Sequence, residues 1–340
     1  MGEVSSEIGE KLYFDTILHD DGNIGYGGQM VDLIGPPGVG KSTLIMQMAQ
    51  FTRHLDYDTS KADLIKMQKK KQKAPDFPET VIMRGLSSDH WNCLIPKNWK
   101  KSFPNYGKPK FLVIHVHEDD NYGFYEVSSN KKQKINRELN IKPYKDAEEL
   151  FDNIRPKAIN IVYEPSKYFL TQKVIDTINT SKLKKPNEKE ENDNISIPAP
   201  PVVFWFEFIE FLCRNTRGAF CTLIIDEFHL VARAYLRGDL FHMVAWLAET
   251  IIDMRKNNIS FFISTHDENL IDYRISERIV KKIWFKGAVP KNSRVKLSLV
   301  SSLDKIGTAI IEQRNVEFGT LPFDKFKDAP PLLKAYPNGV

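Results

Sequence analysis

The sequence predicts an α/β fold built on a largely parallel central sheet. Three observations carry that expectation. Short β-branched runs alternate with longer segments of helical apolar spacing, the first run passes through a Gly/Pro loop into a helical segment, and a later run ends in two consecutive acids. Strands are expected at 29–34, 80–83, 111–117, 158–163, 221–225, 260–264 and 279–285. Helices are expected at 42–55, 146–154, 167–180, 202–214 and 240–255. A last antiparallel pair is expected at 295–299 with 308–311, and 321–340 reads as a Pro-rich extended tail of the kind that packs on a neighbour.

The 340 residues are 41% hydrophobic and 27% charged, which supplies a sizeable core and excludes a disordered or collagen-like chain. The length reads as one large domain with a substantial insertion. Residues 1–58 would hold the first strand-loop-helix unit, 59–201 an insertion-rich middle with some core strands, 202–328 the second half of the core and 329–340 a tail. The most hydrophobic run, 202–213, is interrupted by Glu207 and Glu210 and falls short of the roughly 20 apolar residues that cross a bilayer, so no membrane insertion is expected. The first 21 residues lack the plan of a secretion signal, which points to the cytoplasm. Cys93, Cys213 and Cys221 are too scattered for a disulfide framework or a four-ligand zinc site and are expected as small core residues. A net charge of +4 permits a polyanionic partner without demanding one. Segments 61–78 and 182–201 show no core pattern and are expected to be mobile.

Gly35-Pro36-Pro37-Gly38-Val39-Gly40-Lys41-Ser42-Thr43 matches G-x-x-x-x-G-K-[ST] between a strand and a helix, the context that pattern needs. Glycines there let backbone N–H groups close around phosphate oxygens at a positive helix end. Lys41 would reach the β- and γ-phosphates of ATP, and the Ser42 hydroxyl would ligate Mg²⁺. The run Cys221-Thr222-Leu223-Ile224-Ile225-Asp226-Glu227 is an apolar strand ending in two acids. Asp226 is expected to help hold the Mg²⁺ beside Ser42, and Glu227 to polarise an attacking water. Thr265 and His266 then stand at the carboxyl end of the next strand, where His266 could donate to a phosphate oxygen or orient water. Arg255 closes the preceding helix and is a candidate arginine finger for a neighbouring subunit, in competition with Arg233, Arg237, Arg274 and Arg278.

With these motifs in order, the chain resembles the FtsK/HerA branch of P-loop ATPases, which includes DNA pumps and viral genome-packaging motors. The resemblance runs through 255–266, through Ile271-Asp272-Tyr273-Arg274-Ile275 and 279–285, and to Gly307-Thr308-Ala309-Ile310-Ile311, which is similar to a short strand returning to the sheet. It covers roughly 28–55 and 202–328. It implies a RecA-like core, ATP hydrolysis, and a homo-oligomeric ring, usually a hexamer, with nucleotide between subunits and DNA through the centre. One departure is His266, where that branch usually has Gln; Thr265-His266-Asp267 is similar to the switch-histidine segment of ABC-type ATPases. Residues 214–220 contain no signature similar to Leu-Ser-Gly-Gly-Gln, so a nucleotide-dependent switch or assembly protein of ABC type ranks second to a DNA motor.

Residues 97–110 interleave lysines with Trp99, Phe103 and Tyr106, which could grip phosphates and unpaired bases or else cover the edge of the core. His115 and His117 lie two apart on a strand, but two ligands do not make a metal site, and an ordinary strand end is expected. Phe204, Trp205, Phe206, Phe208, Phe211 and Trp246 read as core packing.

Overall fold

The computed structural model describes residues 28–54, 80–102, 111–128, 131–168, 200–215, 221–234, 239–257, 259–279, 281–291, 293–313 and 318–337. Within them the strands are β1 (Met30–Ile34), β2 (Thr80–Arg84), β3 (Ser88–Asp89), β4 (Leu112–His117), β5 (Gly123–Ser128), β6 (Lys131–Lys134), β7 (Ile141–Tyr144), β8 (Ile159–Val162), β9 (Cys221–Ile225), β10 (Ile259–Thr265), β11 (Lys281–Trp284), β12 (Thr308–Gln313), β13 (Phe318–Pro322) and β14 (Leu332–Tyr336). Ten of them form one sheet in the order β13-β12-β11-β1-β10-β9-β2-β8-β4-β7. From β11 to β7 every neighbouring pair is parallel, while β12 and β13 close one edge antiparallel. This is the largely parallel α/β sheet that the sequence predicts.

Every position of β1, β9 and β10 is buried, as a parallel sheet covered on both faces requires. One face packs α1 (Lys41–His54), through Leu44, Ile45 and Met48, together with Trp91 and with Trp99 from α2 (Pro96–Ser102). The other face is covered by α3 (Ala147–Asn153), α4 (Pro200–Asn215) and α5 (Asp239–Lys256). Phe204, Trp205, Phe206 and Phe208 are buried on α4, Phe211 packs on Phe151 at 5.4 Å, and Trp246 of α5 meets Phe206 at 4.3 Å. The expected aromatic core is therefore present. Cys93, Cys213 and Cys221 are buried, as small core residues.

Two expectations near the C-terminus are corrected. Residues 295–299 do not form a strand: Leu297–Ser301 is a short helix, α7, following the still shorter α6 (Tyr273–Ser276). The partners of β12 are instead β11 and β13, because the buried Ala309, Ile310 and Ile311 need a neighbour on each side. The Pro-rich end does not run out as a tail on a neighbour, because it carries β14. Alternation of Leu333 and Ala335 inward with Leu332, Lys334 and Tyr336 outward drives β14 into a second, antiparallel sheet ordered β3-β14-β5-β6. Segment 61–78, most of 182–201 and most of the helix expected at 167–180 lie outside the described residues.

Asp32 lies in the middle of β1, fully buried beside Lys282 of β11. Burial pushes its carboxyl up to about 8, against the pull of Lys282. Between the ordinary carboxylate value of 3.8 and about 8 the unfolded chain gives up a proton that the native protein keeps, so this group makes the fold less stable as pH rises through that window. Thermal melting of Asp32→Asn against the parent should show a difference in favour of the variant that grows from about pH 4 to about pH 8. A difference that does not change with pH would contradict the assignment.

Candidate nucleotide site

The phosphate loop leaves the sheet at Ile34, and the Gly35 N–H donates to Thr265 O at 3.1 Å, which pins the loop beside the tip of β10. Gly38 (φ +76°) and Gly40 (φ +98°) occupy the left-handed region that favours glycine. A Cβ on Gly38 would meet no atom within 4 Å, so this stretch of backbone borders open space, whereas one on Gly40 would strike the Phe323 ring at 2.9 Å. Val39 is buried and anchors the loop, while Pro37 and Gly38 are exposed. The helix α1 begins at Lys41, so its unpaired first-turn N–H groups and positive end face the loop. Thr43 is buried in that turn.

Lys41 is also buried, and its Nζ donates to Gly35 O and, at 3.0 Å, to Pro36 O. Burial lowers its pKa, and Asp226, Glu227 and Asp32 oppose that shift. The register of β10 with β9 sets Ile263 against Ile225, which brings Ser264 beside Asp226. Ser264 Oγ donates to Asp226 Oδ1, which also accepts the Glu227 N–H at 3.0 Å. Ser42 Oγ lies 3.5 Å from Asp226 Oδ2. Glu227 turns the chain with φ +52°, a left-handed conformation that a glutamate holds only where its surroundings enforce it. His266 stands between the two halves, with Nδ1 3.4 Å from Lys41 Nζ and Nε2 3.9 Å from Glu227 Oε1.

Lys41, Ser42, Asp226, Glu227 and His266 are thus brought together, and Arg255 is not. It is exposed at the end of α5, before the amino end of β10, about 20 Å of strand away from Thr265. Of its competitors, Arg274 is paired with Asp272 and Arg278 with Glu249. Arg233 is exposed on the loop that follows the acid pair, and Arg237 lies outside the described residues.

Sequence reasoning missed Arg84. This buried residue ends β2, next to β9, and its Nη1 donates to the carbonyl oxygens of Asp226 (3.1 Å) and Glu227 (3.3 Å). Glu164 takes the rest of the guanidinium as a two-pronged partner at 2.8 and 2.5 Å, and it also accepts Trp205 Nε1–H at 2.8 Å. The only hint was a cation at the end of an apolar strand. Asp89 was missed as well: burial, followed by the nearby Asp226, pushes its carboxyl up to about 7. His229 packs against His266 at 5.2 Å, and burial lowers its pKa.

No family model matches the sequence, and none of the curated proteins matches it. Among solved structures, the chain is similar to the DNA-packaging ATPase from Sulfolobus turreted icosahedral virus, at 12% identity and TM-score 0.40 over 88% of this chain and 99% of that one. It is similar to the N-terminal domain of zonular occludens toxin from Neisseria meningitidis at 12% identity and TM-score 0.31, over 88% and 95% of the two chains. A DnaB-like replicative helicase matches at 10% identity and TM-score 0.38, over 96% of this chain and 66% of that one. These likenesses are distant, and the side chains of this protein define its site.

Both histidines of β4 are engaged by neighbouring groups. His115 Nε2 lies 3.0 Å from Asn160 Oδ1, with burial lowering its pKa to about 4, and His117 Nε2 lies 2.9 Å from Lys145 O. No cluster of three metal-ligating side chains occurs among the described residues. Trp99 is buried and Lys97 is paired with Glu138 at 2.5 Å, so this part of 97–110 covers the core edge; 103–110 lies outside the described residues.

Removing one member of the Arg84–Glu164 pair strands a buried charge. Arg84→Met should cost about 3–5 kcal/mol in denaturant unfolding. Adding Glu164→Gln, which keeps an acceptor for Trp205, should recover part of that loss. Strictly additive losses would show that the pair is not coupled.

Proposed function

We propose that this protein hydrolyses ATP with Mg²⁺ and uses the energy to move DNA, working as a homo-oligomeric ring, a hexamer as its resemblance implies. The observation that carries the reading is the meeting of Lys41, Ser42, Asp226 and Glu227 across the tips of β1, β10 and β9. The residues present suit a nucleotide: Gly38 leaves backbone facing open space at a positive helix end, with a buried ammonium beside it. Ser42 and Asp226 offer hydroxyl and carboxylate oxygens to a hard cation, which would neutralise charge on the phosphates.

In this scheme the Glu227 carboxylate accepts a proton from water as the water oxygen bonds to the γ-phosphorus and the bond to the bridging oxygen of ADP breaks. Lys41 and the first turn of α1 stabilise the charge that moves onto the bridging oxygen. Ser264 and the Glu227 N–H keep Asp226 aimed at Ser42, and Arg84 fixes the backbone from which both acids project. Arg255 lies too far from its own site to take part there, so its proposed role as a finger requires a neighbouring subunit. Arg233, exposed on the loop beyond the acid pair, remains a competitor for that role.

The position of His266 between Lys41 and Glu227 favours a second reading, a nucleotide-dependent switch of ABC type acting on a protein partner. ATP turnover by the purified protein without DNA, with single-stranded DNA and with duplex DNA separates the two, with Lys41→Ala as the blank. The motor reading expects several-fold stimulation by one DNA form. Equal turnover in all three conditions would contradict it and favour the switch.

A further inference from the structure

The second sheet, whose Asp89 lies within electrostatic reach of Asp226, has two faces that differ sharply in chemistry. Inward it presents Phe124, Leu333, Ala335 and Asp89, all buried, with Glu126 in the same row as Leu333. Outward, the pairing aligns Ser88, Lys334, Tyr125 and Lys134 in one row and Leu332, Val127 and Lys132 in the next, with Tyr336 opposite Gly123. Both carboxylates on these strands therefore belong to the inner face, and the outer face carries three lysines and no acid. Lys132 and Lys134 are exposed on the edge strand β6. Lys132 Nζ sits 4.3 Å from the Tyr125 ring centre and 4.7 Å from that of Tyr336, and Lys334 Nζ donates to Ser88 Oγ at 3.0 Å. Two rings and a hydroxyl thus hold two of the ammonium groups in place, with no carboxylate of these strands on the same face.

We infer that this outer face is a surface on which the protein grips the phosphate backbone of DNA. An acid-free row of fixed cations suits a polyanion, and aromatic rings among them give bases a place to stack. The inference rests on the DNA reading above and names the surface that would serve it. The location has a mechanical consequence. The edge strand β3 begins four residues after Arg84, whose guanidinium holds the carbonyls of Asp226 and Glu227. A load on the small sheet is thereby delivered close to the backbone that aims the catalytic acids.

The test is fluorescence anisotropy of labelled single-stranded and duplex oligonucleotides with the full chain over a series of salt concentrations. The triple variant K132A/K134A/K334A should bind at least about tenfold more weakly near 0.1 M salt, and the log–log salt slope should shrink by about 2 to 3, the counterions that three phosphate contacts release. Lysine-to-arginine replacement at the same three positions should retain binding. Circular dichroism and melting confirm that each variant is folded. A parent that binds DNA and a triple variant that binds equally well with the same slope overturn the surface and leave the DNA reading standing. A parent that binds neither oligonucleotide overturns both.

Discussion

Asp226 accepts the Ser264 hydroxyl and the Glu227 N–H and faces the Ser42 hydroxyl at 3.5 Å, so one carboxylate ties the ends of β9 and β10 to the first turn of α1. That convergence depends on strand order. With β10 between β1 and β9, the phosphate loop and the acid pair rise on either side of a single strand tip, and the space between them is spanned by Ser264, Thr265 and His266. A one-residue slip of β10 against β9 would turn Ser264 to the other face of the sheet and take the hydroxyl away from Asp226. The fully buried strands guard against such a slip, because it would expose apolar side chains to the wrong layer.

Around this centre the protein spends stability on buried charge. Arg84 and Glu164 are costly to desolvate, and they are retained where they fix two carbonyls, an indole N–H and the left-handed turn at Glu227. Asp32, in the middle of β1, and Asp89, on β3, are further buried acids, both held well above the usual carboxylate range. The second sheet extends this framework outward, since β3 follows β2 directly and Asp89 lies within electrostatic reach of Asp226.

The core was legible because parallel strands buried on both faces leave continuous apolar runs. The boundaries expected for β9 are those observed, those of β1 and β2 differ by one residue at one end, and those of β10 by one residue at each end. The loop and the acid pair were legible because each is a short contiguous pattern, a Gly-rich G-x-x-x-x-G-K-[ST] run and two consecutive acids after an apolar run. What escaped was structure whose signal lies in the partner. The edge strand β6 is Lys-Lys-Gln-Lys, with no apolar period at all, and it pairs only because β5 offers an edge. Likewise β14 is five residues within a Pro-rich stretch, and Leu333 and Ala335 acquire meaning only against Phe124. Arg84 and Ser264 resemble ordinary strand termini until the register places them beside Asp226 and Glu227. Phosphate-loop residues are specified locally, whereas the residues that hold the acids are specified by the sheet.

The assignment of Glu227 as the proton acceptor is tested most directly by single-turnover hydrolysis of γ-labelled ATP, comparing the parent protein with Glu227→Gln at matched nucleotide occupancy. The amide keeps the size of the side chain and removes its basicity. Both proteins should bind Mg-ATP with similar affinity, and the variant should release phosphate about 10²–10⁴ times more slowly. Phosphate release by the variant at the parent's rate, with binding intact, would contradict it.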